Sequence, residues 1–149
     1  NSINAMDNND KNIFLARYQQ NERFYIIPWD LDATWGRTYL MQVIDEDSIQ
    51  TNRLYERLFT LNPDNFTGDL ASRWQFLKNT LFDPLNINER IHSYEQKLLR
   101  SGAIERDNAT WPDERVEIES EVVFMQKWYE SRYYYFGAFV DSLDEHQPD

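Results

Sequence analysis

The chain has no cysteine among its 149 residues, which excludes a disulfide framework and any thiolate metal site. It has no run of about 18 apolar residues, which excludes a membrane-spanning helix. Only four glycines are present, and no glycine-rich phosphate loop or Walker lysine can be made from their surroundings. The two histidines, His92 and His146, read as isolated surface residues without Glu or His partners at ligand spacing, and no Ser-His-Asp order exists. Positive charge is scarce. Fifteen Lys and Arg face 26 Asp and Glu, a net charge of −11 that argues against a nucleic-acid backbone or an anionic membrane surface as partner. That charge suits divalent cations, although a solvated acidic surface explains it as well. Aromatic residues, by contrast, are plentiful at 15%, with hydrophobic residues at 41%, so one domain with a sizeable core is expected.

Two regions differ in pattern. Residues 1 to about 45 carry a hairpin signal, and residues 52–143 carry helical periodicity. Ile13 to Tyr18 alternates, Gln19 to Glu22 is polar, and Phe24 to Ile27 is continuously apolar, which predicts two strands joined by a turn. The second strand is expected to be buried on both faces and to end at Pro28, which cannot donate to a ladder. Asn52 should cap a helix bearing Leu54, Leu58 and Leu61, broken at Asn62-Pro63. A second helix is predicted over about 69–82, stopped by Asp83-Pro84. A third is predicted from an Asn88 cap to Gly102. After a loop at Trp111-Pro112, a long helix over about 114–143 carries the stripe Ile118, Val122, Met125, Tyr129, Arg132, Phe136, Val140 and Leu143. A second stripe runs through Phe124, Trp128, Ser131, Tyr135 and Phe139, so the helix should be central. Arg132 interrupts an apolar row and should be buried against a carboxylate or several carbonyls. The expected class is therefore α+β, mainly α-helical, with a short hairpin packed on a C-terminal helical bundle.

The polar motifs lie on either side of that hairpin. Asp7 and Asn12 stand five apart just before the first strand, and Asp30 and Asp32 follow the second. Phosphoryl transfer needs this kind of set, an Asp to take a hydroxyl proton and an Asn and an Asp to hold magnesium on the nucleotide phosphates. Taken alone, Asp7 to Asn12 also reads as a solvated turn. A calcium loop fails in this stretch, because Lys11 and Tyr18 replace ligands and Asn12 stands where Gly is wanted. If the strand continues, Asp30 and Asp32 point to one side and both carboxylates face one cation, flanked by Trp29 and Trp35 as a shield from water. A glycosidase carboxylate pair from Asp7 and Asp30 is a further alternative that the aromatic content would suit.

The block Asn4-x-x-Asp7-x4-Asn12, the aromatic-rich hairpin and Pro28-Trp29-Asp30-Leu31-Asp32-x-Thr34-x-Gly36 together resemble the CotH kinase family, named for a spore coat protein. The resemblance is strong over residues 4–36 and looser through Asn62-Pro63, Arg73-Trp74 and the long last helix. It implies an atypical protein-kinase C-lobe using ATP with Mg2+ or Mn2+. By position, Asp7 is similar to the catalytic Asp, Asn12 and Asp30 to nucleotide-cation ligands, and Asp32 to a second metal ligand. Met6-Asp7 is similar to the same pair in secretory-pathway kinases, whereas Ala5 stands where ordinary kinases carry His. The implied partners are a nucleotide and a spore-coat, cell-surface or secreted protein, and the implied location follows the same classes. The lobe that would supply the phosphate-anchoring Lys is expected to precede Asn1, which would leave these 149 residues inactive alone. A degenerate kinase fold serving as a structural or adhesive surface module is the competing expectation.

Overall fold

In the computed structural model, which describes residues 2–5 and 11–144, a two-stranded antiparallel hairpin precedes five α-helices. The class is mainly helical α+β. Strands β1 (Ile13–Ala16) and β2 (Tyr25–Pro28) pair in a register that sets Ile13 opposite Pro28 and Ala16 opposite Tyr25. The helices are α1 (Arg53–Leu61), α2 (Phe66–Lys78), α3 (Pro84–Arg100), α4 (Ala103–Thr110) and α5 (Ile118–Asp144). None of the described helices is long and apolar enough to cross a membrane.

Caps and breakers set most helix limits. Asn52 caps α1 as its sequence predicts, its Oδ1 accepting from the Leu54 and Tyr55 amides at 2.9 and 3.0 Å. Asn62, in the left-handed region, ends α1, and its side chain accepts from Thr67 to start α2. Helix α2 stops at Lys78 rather than near 82. Asn79 Nδ2 and Thr80 Oγ1 donate back to the Gln75 and Phe76 carbonyls, which consumes the acceptors a further turn would need. Asp83, not Asn88, caps α3, with its Oδ1 on the Leu85 amide and Pro84 at the first helical position. Proline there starts a helix as readily as it stops one. Gly102, at φ +66°, separates α3 from α4, a short helix that the 103–110 sequence does not announce.

Helix α5 is the centre of the molecule, as its stripe predicts. Val122, Tyr129, Arg132, Phe136 and Val140 are buried along it. The second stripe holds only in part, because Ser131 and Tyr135 face solvent. Helix α3 contributes Ile87 and Ile91 to a cluster with Val122, Trp128 and Tyr129. Helix α2 contributes Ala71 and Trp74 to a second cluster with Phe136 and Val140. Arg132 lies between the two in sequence.

The hairpin departs from expectation. Both faces of β2 are exposed, with Ile26 and Ile27 about half accessible, and Phe14 and Leu15 of β1 are similar. Among the described residues, the segment that follows the hairpin hydrogen-bonds to α5 from within residues 33–48. A continuous apolar run satisfies the pattern of a buried strand without supplying the layer that would bury it.

Tyr129 offers a test of the core. Its hydroxyl donates to the Phe82 carbonyl at 2.8 Å. Burial, reinforced by Tyr133 and Asp83, pushes its pKa well above the ordinary tyrosine value. The stabilisation is complete below about pH 10, where unfolded tyrosine is still protonated, and is lost as pH rises from there toward the folded-state value. Denaturant unfolding followed from about pH 8 to about pH 11 should show a steeper alkaline loss for the wild type than for Tyr129→Phe. Parallel curves would contradict this.

Candidate functional site

The base of the hairpin gathers two of the four predicted site residues. Asn12 immediately precedes β1 and Asp30 stands two residues beyond Pro28, so the antiparallel register brings them side by side. The Trp29 amide donates to the Asn12 carbonyl at 2.9 Å and closes the ladder one step beyond the strands. Asn12 Nδ2 then lies 3.5 Å from Asp30 Oδ2, at the outer limit of a hydrogen bond. Both residues have φ of +56°. Asn and Asp tolerate the left-handed region best among residues with a Cβ, and holding two of them there turns both side chains away from a strand-like course.

These atoms are hard oxygen donors, or become so simply. A half-turn of the Asn12 amide exchanges its NH2 for its carbonyl oxygen, which would face the Asp30 carboxylate unfavourably unless a cation stood between them. Magnesium commonly takes one or two carboxylates and fills its remaining positions from phosphates and water. The pair thus fits a divalent cation held jointly with a nucleotide. No group of three or more His, Cys, Asp or Glu converges among the described residues.

Asp32 behaves differently. The chain leaves the strand before it, so the alternation that would align Asp30 with Asp32 does not apply. Asp32 Oδ1 accepts from the Ala33 amide at 2.9 Å and caps the turn that follows. Nor do the two tryptophans shield the pair. Trp29 is 64% exposed, Asp30 and Asp32 are open to solvent, and Trp35 turns inward onto Tyr129 at 5.2 Å between ring centroids. Asp7 lies outside the described residues, as do Met6 and Asp10.

What positions this region comes from residues far away in sequence. The Trp35 amide donates to the Ile3 carbonyl at 3.0 Å, tying the segment that leads into Asp7 to the segment that follows Asp30. Next to it, Asn4 is fully buried at φ +50°, and its Nδ2 donates to Ser48 Oγ at 2.7 Å. Ser48 is held in turn by Arg132, whose Nη1 donates to the carbonyls of both Glu46 and Ser48. The buried arginine therefore has the carbonyl partners expected of it, together with the Tyr135 and Phe136 rings. Burial lowers its pKa, and Tyr135 and Asp47 oppose that shift. Trp128 Nε1 pins the Ile44 carbonyl at 2.8 Å. Arg37 grips Glu121 of α5 through Nε at 3.2 Å and Nη2 at 2.9 Å while lying 3.9 Å over the Phe124 ring. Neither Arg37 nor Ser48 carries a sequence signal. Asn4 is marked only by its place in the block with Asp7.

Gly36 is the tightest point of this scaffold. At φ +82° it lies against Trp128, and an added Cβ would stand 2.5 Å from the indole ring. Gly36→Ala should cost about 2 kcal/mol or more, from backbone strain and overpacking together. Thermal and denaturant unfolding will show it. An unchanged midpoint would mean that the loop is not held against α5.

A family model described as CotH kinase protein matches residues 1–136 of the 149-residue chain, which therefore belongs to the CotH kinase family. No curated protein and no solved structure matches it.

Proposed function

We propose that this member of the CotH kinase family transfers the γ-phosphoryl group of ATP to Ser or Thr hydroxyls of a protein substrate. The observation that supports the reading most directly is the approach of Asn12 to Asp30 across the base of the hairpin, 3.5 Å apart although 18 residues separate them. Asn12 and Asp30 would hold a magnesium or manganese ion, and Asp32, with one oxygen engaged by Ala33, would supply its other oxygen as a second ligand. When bound, the cation neutralises charge on the phosphate oxygens.

Asp7 is assigned the proton. As the substrate oxygen bonds to the γ-phosphorus, the bond to the bridging oxygen of the departing ADP breaks, and the hydroxyl proton passes to the Asp7 carboxylate. The chain's own contribution is positioning. Ile3 and Asn4, fixed by Trp35 and Ser48, anchor the described chain three residues before Asp7 in sequence. The family's association with spore coats points to a spore-coat, cell-surface or secreted protein as substrate and to the same location for this protein.

The test is transfer of labelled γ-phosphate by the protein in its natural length, with an Asp30→Ala variant beside it. Loss of a ligand to the developing charge should lower the rate on the order of a hundred-fold or more. Asp32→Ala, which removes a turn cap and a second ligand, should cost less. Equal label incorporation by wild type and Asp30→Ala would sink the kinase reading.

A further inference from the structure

Away from the hairpin, the helices carry one polar pair and two Asn-x-Thr triplets. His92 Nδ1 lies 2.7 Å from Glu95 Oε2, so the expectation that His92 has no partner is corrected here. The triplets are Asn65-Phe66-Thr67 and Asn108-Ala109-Thr110. Each fits the acceptor pattern for an N-linked glycan, which has no proline at its middle position. A glycan is bulky and polar, so the folded protein must leave its asparagine open to water. The two triplets differ sharply on that point.

Asn108 is committed to the fold. Its Oδ1 accepts from the Val116 amide at 2.7 Å, and its Nδ2 donates to the Val116 carbonyl at 3.1 Å. This clasp ties the last turn of α4 to the chain that enters α5. Gripping the N–H and C=O of one residue uses the amide hydrogen on the same side as Oδ1. A secondary amide prefers the trans arrangement, which puts a sugar carbon in that hydrogen's place. A glycan on Asn108 would therefore push Val116 away and break the clasp. Asn65 is placed differently. It ends the single turn Pro63–Asn65 at φ +60°, a conformation that asparagine tolerates, and its side chain is exposed. Leu61, Pro63 and Asp64 beside it are exposed as well, and Gly68 has no side chain to crowd the Asn65 amide. Thr67 is buried in the folded protein, so a transferase that reads its hydroxyl must act before this turn folds.

We propose that Asn65 carries an N-linked glycan and that Asn108, despite the same triplet, does not carry one in the folded protein. The donor is an oligosaccharide held on a lipid diphosphate. Asn65 Nδ2 bonds to the anomeric carbon, the bond from that carbon to the diphosphate oxygen breaks, and the amide nitrogen loses one proton to solvent. The lipid diphosphate leaves with the electron pair. The inference rests on the secreted or cell-surface location proposed above, because only such a chain meets the transferase.

Glycopeptide mapping of the protein in its natural length, isolated from the organism that makes it, is the test. Peptides spanning Asn65 should carry a glycan that an amidase releases, and peptides spanning Asn108 should be unmodified. An unmodified Asn65, or a glycan on Asn108 in the folded protein, would overturn the proposal. The same chain directed through a glycosylating secretory pathway separates the two premises. There Asn65→Asp, which keeps a residue tolerant of the left-handed turn, should abolish the glycan's electrophoretic shift. Thr110→Ala, which spoils the second triplet but spares the Asn108 clasp, should leave the shift intact; the reverse pattern would overturn the proposal. A glycan on Asn65 in this host but not in the natural source would refute the location and with it the proposal. A bare Asn65 in both would refute the site itself. None of these readouts depends on kinase activity.

Discussion

The buried guanidinium of Arg132 is the contact on which the remaining arrangement depends. It occupies the middle of α5, between the residues that α5 gives to the α3 cluster and those it gives to the α2 cluster. Stripping a guanidinium of water costs several kcal/mol, and its lowered pKa reflects that cost. The Glu46 and Ser48 carbonyls and two aromatic rings offset it, so the loop over α5 cannot leave without exposing an unpaired buried charge. Ser48, held this way, fixes Asn4, and Trp35 fixes Ile3. A core arginine thus sets where the chain enters the Asp7 region, while Trp128 and Arg37 set where it leaves the Asp30 region.

Some of the left-handed residues stand where function is proposed, and others mark the junction of α1 and α2. Asn12, Asp30 and Trp35 are all left-handed, and for Trp35, a bulky aromatic, that conformation is uncommon. Such residues persist only when surrounding contacts over-determine them. Here the hairpin register, the Ile3 carbonyl and the Tyr129 ring supply those contacts. The hairpin, by contrast, exposes both faces of β2. Rigid scaffold and exposed motif therefore meet at residues 30–35.

Much of this was legible in the sequence, for identifiable reasons. The stripe on α5, the Asn52 cap and the Asn62-Pro63 break are local signals, and the structure follows them. The approach of Asn12 to Asp30 follows from a hairpin between them, since strand pairing converts sequence distance into adjacency. The burial of Arg132 could be read from an apolar row that it interrupts. What stayed hidden was non-local. Arg37 and Glu121 are 84 residues apart, and nothing near either announces the other. The exposure of β2 depends on which layers exist above it, not on its own composition. Strand alternation does not govern Asp30 and Asp32, because the strand ends at Pro28 and Asp30 is left-handed. His92 and Glu95 are three apart on one helix face, so their contact was within reach of helical spacing alone.

Membership of the CotH kinase family suggests a kinase-like protein, and the cation-assisted phosphoryl transfer proposed for it turns on whether Asn12 and Asp30 share one ion. Mn2+ added below stoichiometry, with ATP, to 15N-labelled protein tests this directly, because its paramagnetism broadens only nearby amides. A shared site predicts that Asn12, Trp29, Asp30 and Leu31 broaden first and that Asp30→Asn abolishes the effect. Broadening spread over the acidic surface, or centred on Glu119 and Glu121 at the start of α5, would contradict it.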